Sequence, residues 1–205
     1  MSVVVVANPK GGVGKSTLST NLAGYLASQG RRVMLGDADR QQSSRTWLRL
    51  RPAAARPIQA WDVADDLTAR VPKGVSDVVL DTPGGLHGAR LKEVMKLADK
   101  VIIPLQPSIF DMYATRDFLD RLQEMKKTDQ LSVGLVGMRV DERTIAADQL
   151  HEFVSRLGYP VVALLRDTQN YVHLAARGLS LFDVKSARLE KDQLQWRPLC
   201  AWVNK

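Results

Sequence analysis

The stretch Asn8-Pro9-Lys10-Gly11-Gly12-Val13-Gly14-Lys15-Ser16-Thr17 constrains this chain more than any other. Upstream of it, Val3, Val4, Val5 and Val6 make a β-branched run that reads as a buried strand. Downstream, Leu18, Leu22 and Leu26 recur at helical spacing. A strand, a glycine-rich turn, a lysine, a hydroxyl residue and a helix, in that order, make a phosphate-binding loop. Gly11, Gly12 and Gly14 let the backbone curl round a polyphosphate with its N–H groups inward, where side chains would collide. The helix opening at Ser16 adds the positive end of its dipole. Lys15 can reach the β- and γ-phosphates, and the Ser16 hydroxyl suits Mg²⁺. The stretch is read as a nucleotide site.

Strand and helix patterns alternate along the rest of the chain, which predicts an α/β fold: a mostly parallel, twisted sheet with helices on both faces. A length of 205 residues fits one such domain, spanning 1–205. The first strand begins at Val3, leaving no expected room for a signal peptide or an N-terminal DNA-binding domain. No apolar run approaches the ~18 residues of a membrane span. Cys200 is alone, so no internal disulfide is expected, and the cytoplasm is the expected compartment. His87, His151 and His173 are not at metal-ligand spacing.

Two further strand patterns end in carboxylates. The first leads to Asp37 and Asp39, two carboxylates at a strand end facing the phosphate loop; the competing reading is a capped turn into a helix over 41–51. The second, residues 77–81, ends at Asp81, placed to reach Mg²⁺ through water. Gly84 and Gly85 then permit a loop that moves with the γ-phosphate. A loop over 52–60 leads to a short strand near Ile58, and 61–71 reads as a helix with Val63, Leu67 and Val71 on one side. Helices are expected over 88–97, from about Asp111 to Lys126 and Lys127, and over 146–157, with strands at 100–104, 131–138 and 160–165. The tail, 186–205, reads as a helix broken or restarted at Pro198. Its stripe of Trp196, Leu199, Trp202 and Val203 carries few basic residues and is expected to pack on the sheet, not on a membrane.

The paired lysines, with Pro9 where the commoner phosphate loop has glycine, resemble the deviant Walker A box of the ParA/MinD ATPase family. Asp37, Asp39 and Gln41 resemble that family's D-x-D-P-Q box, with Arg40 in place of proline. Pro104, Pro107, Ser108 and Asp111 resemble its P-x-x-P-S-x-x-D segment, and Arg166, Tyr171, Ala175, Gly178 and Phe182 follow the short ParA-type partition ATPases. The resemblance implies a P-loop NTPase fold and an ATP hydrolase that uses ATP and Mg²⁺. It implies catalytic roles for Lys10, Lys15 and Asp39, with Lys10 crossing to the phosphates held by a second copy in an ATP-dependent homodimer. Gly11, Gly12, Val13, Gly14, Lys15, Ser16 and Thr17 would hold the nucleotide, Thr17 at the α-phosphate, and Arg139 would lie near the base. Ser16, Asp39 and Asp81 would serve the metal. Asp111 would be a site residue near the dimer interface or a helix N-cap.

The same resemblance implies non-specific DNA binding and a ParB-like or other small cargo adaptor that speeds hydrolysis. It also implies nucleoid association in the ATP state, and a plasmid, chromosome region or protein compartment as cargo. Net charge is +7, with nine Lys/Arg against two Asp/Glu in residues 1–60, a surface that favours polyanions. Two basic sets compete for DNA. The family's habit points to Arg166, Arg177, Lys185 and Arg188, and charge density points to Arg45, Arg49, Arg51 and Arg56. The alternatives are a MinD-like membrane-cycling regulator, which needs a lipid-binding tail, and a metabolic P-loop enzyme. A four-iron electron carrier is excluded, because one cysteine per chain gives a dimer only two thiolates.

Overall fold

The computed structural model describes residues 1–63, 74–125 and 131–205. In chain order the elements are β1 (Ser2–Val6), α1 (Lys15–Ser28), β2 (Val33–Asp37), α2 (Ser43–Leu50), β3 (Gln59–Trp61) and β4 (Asp77–Asp81). There follow α3 (Gly88–Leu97), β5 (Lys100–Leu105), α4 (Ile109–Gln123), β6 (Ser132–Met138), α5 (Ile145–Ser155) and β7 (Val161–Leu165). The chain closes with α6 (Gln169–Ala175), a 3-10 turn (Ala187–Leu189) and α7 (Glu190–Val203). Among the described residues the strands form one seven-stranded sheet, ordered β3-β2-β4-β1-β5-β6-β7, with every pairing parallel.

The two faces of the sheet follow from the period of two along each strand. Val3 and Val5 of β1 point into a core shared with Leu91, Val94 and Met95 of α3, Phe118, Leu119 and Leu122 of α4, and Leu150 and Val154 of α5. Val4 and Val6 point the other way, to Leu18, Leu22 and Leu26 of α1, Trp47 of α2, and Trp196, Leu199 and Val203 of α7. Both faces are covered, which is why the strands read as continuous apolar runs. Each fully buried leucine of α1 contributes about 1.5–3 kcal/mol.

β1 lies between β4 and β5, and the chain turns opposite ways on its two sides. From β1 it passes through α1 to β2, beyond β4; from β4 it passes through α3 to β5, beyond β1. The crevice above the strand ends at this reversal is where α/β sheets hold ligands. Register brings the site there: Val6 pairs with Asp81, and Asp81 with Asp37, so the ends of β1, β4 and β2 are level.

Several expectations need correction. Trp61 heads no helix; it ends β3, buried against Gly36, where an added Cβ would come within 2.7 Å of its ring. The remainder of the expected helix beyond Val63 lies outside the described residues, as do Lys126 and Lys127. α4 ends at Gln123, although Met125 still packs on the core. The tail helix is not broken at Pro198: α7 runs through it. The proline deprives the Leu194 carbonyl of its helical donor, but Leu194 and Pro198 are both exposed, so the break in bonding falls on the solvent side of the helix. The buried stripe of α7 packs on β7 and α1, as its apolar spacing led us to expect.

A candidate nucleotide site at the strand ends

The loop between β1 and α1 is built for close approach of an anion. Gly12 and Gly14 have φ of 76° and 98°, in the left-handed region that suits glycine. An added Cβ at Gly11 or Gly12 would meet nothing within 4 Å, so both open onto free space. α1 begins directly at Lys15 with no acidic residue in its first turn, so nothing within the helix itself offsets its positive end. Val13 is buried, while Ser16 and Thr17 are half-buried at the helix start.

Lys15 is buried, and its Nζ donates to the carbonyls of Asn8 at 3.1 Å and Lys10 at 2.7 Å. Burial lowers its pKa, against the pull of the neighbouring Asp81 and Asp39 carboxylates. Those carbonyls are a holding position from which the ammonium can turn to phosphate. Lys10 differs: its backbone N–H donates to Asn8 Oδ1 at 2.8 Å, but its half-buried side chain finds no partner among the described residues.

Asp81 sits at the end of β4, 1% exposed. Its Oδ2 accepts from the Ser44 hydroxyl at 2.7 Å, while Oδ1 is buried without a hydrogen-bond partner. Desolvation pushes its pKa up to about 6, opposed by the hydroxyls of Ser16 and Ser44. Ser16 is near enough to oppose the rise without satisfying Oδ1. An orphaned carboxylate oxygen beside a half-exposed serine, above a loop open to phosphate, fits a Mg²⁺ shell. Ser16 and Asp81 would hold that ion with the phosphates.

The two carboxylates at the end of β2 and just beyond it divide their work. Asp37 Oδ1 accepts from Asp39 N at 3.0 Å and Oδ2 from Arg45 N at 3.1 Å, so it caps the first turn of α2. Asp39 uses Oδ1 on Gln41 N at 3.0 Å, and its other oxygen accepts nothing from the described residues. Asp39 therefore remains the candidate for positioning water. Arg40 does not open the turn: Gln42 N still bonds Asp39 O at 3.0 Å, and Arg40 itself is exposed.

Contacts that the sequence reading did not anticipate tie the site together. Asn8, fully buried, donates from Nδ2 to Pro104 O at 2.7 Å and Thr115 Oγ1 at 3.0 Å, pinning the loop to β5 and α4. Gln106 donates to Gly12 O at 2.9 Å. The loop after Asp81 touches the phosphate loop directly, with Gly85 N bonding Pro9 O at 2.7 Å and Thr82 Oγ1 bonding Val6 O at 2.8 Å. Arg90, from α3, donates to Ala38 O at 2.9 Å, between the two aspartates, and its buried Nε is unpartnered. An asparagine just before the lysine-glycine run was the one local signal among these.

Other expected residues fall elsewhere. Asp111 is not an N-cap: Ser108 holds that position, and Asp111 is buried in the first turn of α4. Arg139 is exposed with φ of 53° and lines a cavity of about 440 Å³ with Asp141, Arg143, Arg166 and Gln195, beyond the ends of β6 and β7. Met138 packs against Gly14, which brings this cavity's edge next to the loop. Arg166 is held by Asp192 at 2.6 Å, whereas Arg177, Lys185 and Arg188 are exposed without ion pairs among the described residues. In the early set, Arg45 pairs with Asp62 at 2.9 Å, Arg51 is buried against Asp183 at 2.6 Å, and Arg49 and Arg56 are exposed. No helix among the described residues is long and apolar enough to cross a membrane.

Residues 4–182 match the family model described as the CobQ/CobB/MinD/ParA nucleotide binding domain. The chain is similar to the maintenance of carboxysome distribution protein A of Gloeobacter kilaueensis, 31% identical over 203 residues covering 95% of this chain and 90% of that one. The protein of the same name from Halothiobacillus neapolitanus is 30% identical over 188 residues, covering 88% and 87%. Among solved structures, an ATP complex of a McdA variant from Cyanothece matches with a TM-score of 0.77 at 17% identity, over 98% of this chain and 96% of that one, a likeness of fold.

Proposed function

Because the chain belongs to the CobQ/CobB/MinD/ParA nucleotide-binding family, we propose that it couples an ATP cycle to the positioning of an intracellular cargo. It is an ATPase that works with ATP and Mg²⁺. In the proposed cycle two ATP-bound copies pair face to face, the pair binds DNA through phosphate contacts without reading sequence, and a small adaptor on the cargo speeds hydrolysis and release. The similarity to two carboxysome-distribution proteins favours a protein compartment as cargo over a plasmid.

One observation carries the pairing. Lys15 is buried into its own loop, while Lys10, next to the exposed Gly11 and Gly12, is left without a partner among the described residues of its own chain. A cation held beside an open phosphate cradle and unused there is suited to a phosphate on another copy. Within one chain, the loop amides and Lys15 hold the phosphates and Thr17 lies at the α-phosphate end. Ser16 and Asp81 would hold Mg²⁺, whose charge would offset the negative charge that develops on the phosphates. Asp39 orients the attacking water with its unused oxygen, and the Gly84–Gly85 turn, bonded to Pro9, shifts with the state of the γ-phosphate. The apolar stripe of α7 packs into the core, which speaks against that stripe as a lipid-binding surface.

The test is light scattering together with a DNA gel shift, in ATP and in ADP. ATP alone is expected to double the mass and retard DNA. A chain that stays monomeric and leaves DNA unshifted in ATP at moderate salt ends the cargo-positioning reading.

A further inference from the structure

The Asp81 carboxylate is bound on one oxygen only. Ser44 holds Oδ2 at 2.7 Å, and Oδ1 is buried and unpartnered. Ser44 is fully buried, in the first turn of α2, and that turn is tied without it: Asp37 accepts from Arg45 N, and Gln42 O accepts the ordinary helix bond from Thr46 N. Its hydroxyl is therefore not needed to cap the helix, and its one hydrogen bond is to the carboxylate. The neighbouring hydroxyl is committed elsewhere, since Thr82 donates to Val6 O. No other side chain donates to Asp81 within hydrogen-bonding geometry among the described residues.

We propose that Ser44 is a positioning residue for magnesium: it fixes Oδ2 so that Oδ1 is the oxygen turned to the metal's water. The assignment rests on the nucleotide reading above. A carboxylate torsion is broad and roughly two-fold, so a lone aspartate at a strand end presents either oxygen at several angles. One short hydrogen bond to a buried hydroxyl selects a single orientation before the ion arrives. Partners that orient a metal ligand in this way typically matter by about 10–100-fold in metal affinity. Ser44 also comes from a different element than the rest of the metal set, Ser16 on α1 and Asp81 on β4, so α2 becomes part of the metal site.

The experiment is calorimetry on the full chain with a non-hydrolysable ATP analogue, first in EDTA and then with rising Mg²⁺. Ser44→Ala is expected to keep metal-free nucleotide affinity within about twofold and to weaken Mg²⁺ affinity about tenfold. In an Asp81→Asn background the same change is expected to add nothing, because the carboxylate it orients is gone. Unchanged Mg²⁺ affinity in Ser44→Ala, or a loss that persists in the Asp81→Asn background, overturns the assignment. Wild type that binds no nucleotide with or without Mg²⁺ overturns the nucleotide reading instead. If circular dichroism shows Ser44→Ala unfolded, Ser44→Cys, near in volume and weaker as a donor, replaces it and is judged by the same two results.

Discussion

Lys15 and Lys10 share one loop and meet opposite circumstances. Lys15 Nζ is buried among carbonyls and beside Asp81 and Asp39, so its charge is costly there until phosphate arrives. Removing it leaves a polyphosphate in a confined loop without its countercharge, a loss of about 3–5 kcal/mol for a broken buried pair. Lys15→Ala should therefore bind ATP more than ~100-fold more weakly by calorimetry; near-normal affinity would refute the loop's role. Lys10→Ala should bind ATP as a monomer yet fail to pair, and an ATP-dependent dimer in that variant, seen by light scattering, would take Lys10 out of the interface. Both lysines were legible in the chain, because a phosphate loop forces glycine, lysine and hydroxyl into a fixed order. Ser44, Arg90 and Gln106 were not. Each reaches the site from another element, and a serine near a helix start is indistinguishable from a cap until the fold sets it against Asp81.

At the scale of elements, α2 joins the nucleotide site to the segment that carries part of the C-terminal basic set. Ser44 meets Asp81 at one end. At the other, Trp47 Nε1 donates to Leu179 O at 3.2 Å, and Arg51 grips Asp183 through two bonds of 2.9 and 2.6 Å. Gly178, at φ 63°, passes so close that an added Cβ would lie 2.3 Å from Arg51 N. A shift of α2 on metal binding would be felt by residues 178–183. The ion pair also sets a pH dependence. Burial disfavours the Asp183 charge, but hydrogen bonds from Arg51 and Ser180 outweigh it and lower the pKa. Its contribution is thus complete above the ordinary carboxylate pKa and lost as pH falls through the lowered value. Asp183→Asn should lower Tm at pH 7, with the gap to wild type closing as the medium is made more acidic than that lowered value; a gap independent of pH would mean that the charge does not matter. Pro198 makes the complementary case. The sequence pattern suggested a break, yet packing of Trp196, Leu199 and Val203 carries α7 through it. Pro198→Ala should raise stability in urea by about 1–3 kcal/mol, and no gain would show that the helix already avoids the proline's cost.

For the whole molecule, strand–helix alternation and the apolar strand runs made the layered α/β fold legible, whereas the disposition of charge was not. Seven arginines between Arg31 and Arg56 suggested one basic surface. The fold disperses it, pairing Arg31 with Asp77 at 3.1 Å, Arg45 with Asp62 and Arg51 with Asp183, partners remote in sequence that no local pattern reveals. Arg166 is likewise committed to Asp192. What remains of the two competing sets is Arg177, Lys185 and Arg188 on one side and Arg49 and Arg56 on the other, all exposed and unpaired among the described residues. DNA affinity should fall steeply with salt, since each neutralised phosphate releases condensed counterions and adds about 0.9 to the slope of log affinity against log salt. An unpaired cation can neutralise a phosphate directly, while one held by a carboxylate must first give that partner up. Replacing Arg177, Lys185 and Arg188 with alanine should therefore flatten the slope by up to about 0.9 for each phosphate left without its cation, with ATP affinity unchanged. Replacing Arg49 and Arg56 should leave the slope as it was, which would suit an adaptor surface. Gel shifts in ATP at several salt concentrations decide between them: a slope flattened only by the early pair moves the DNA face to α2 and the loop after it.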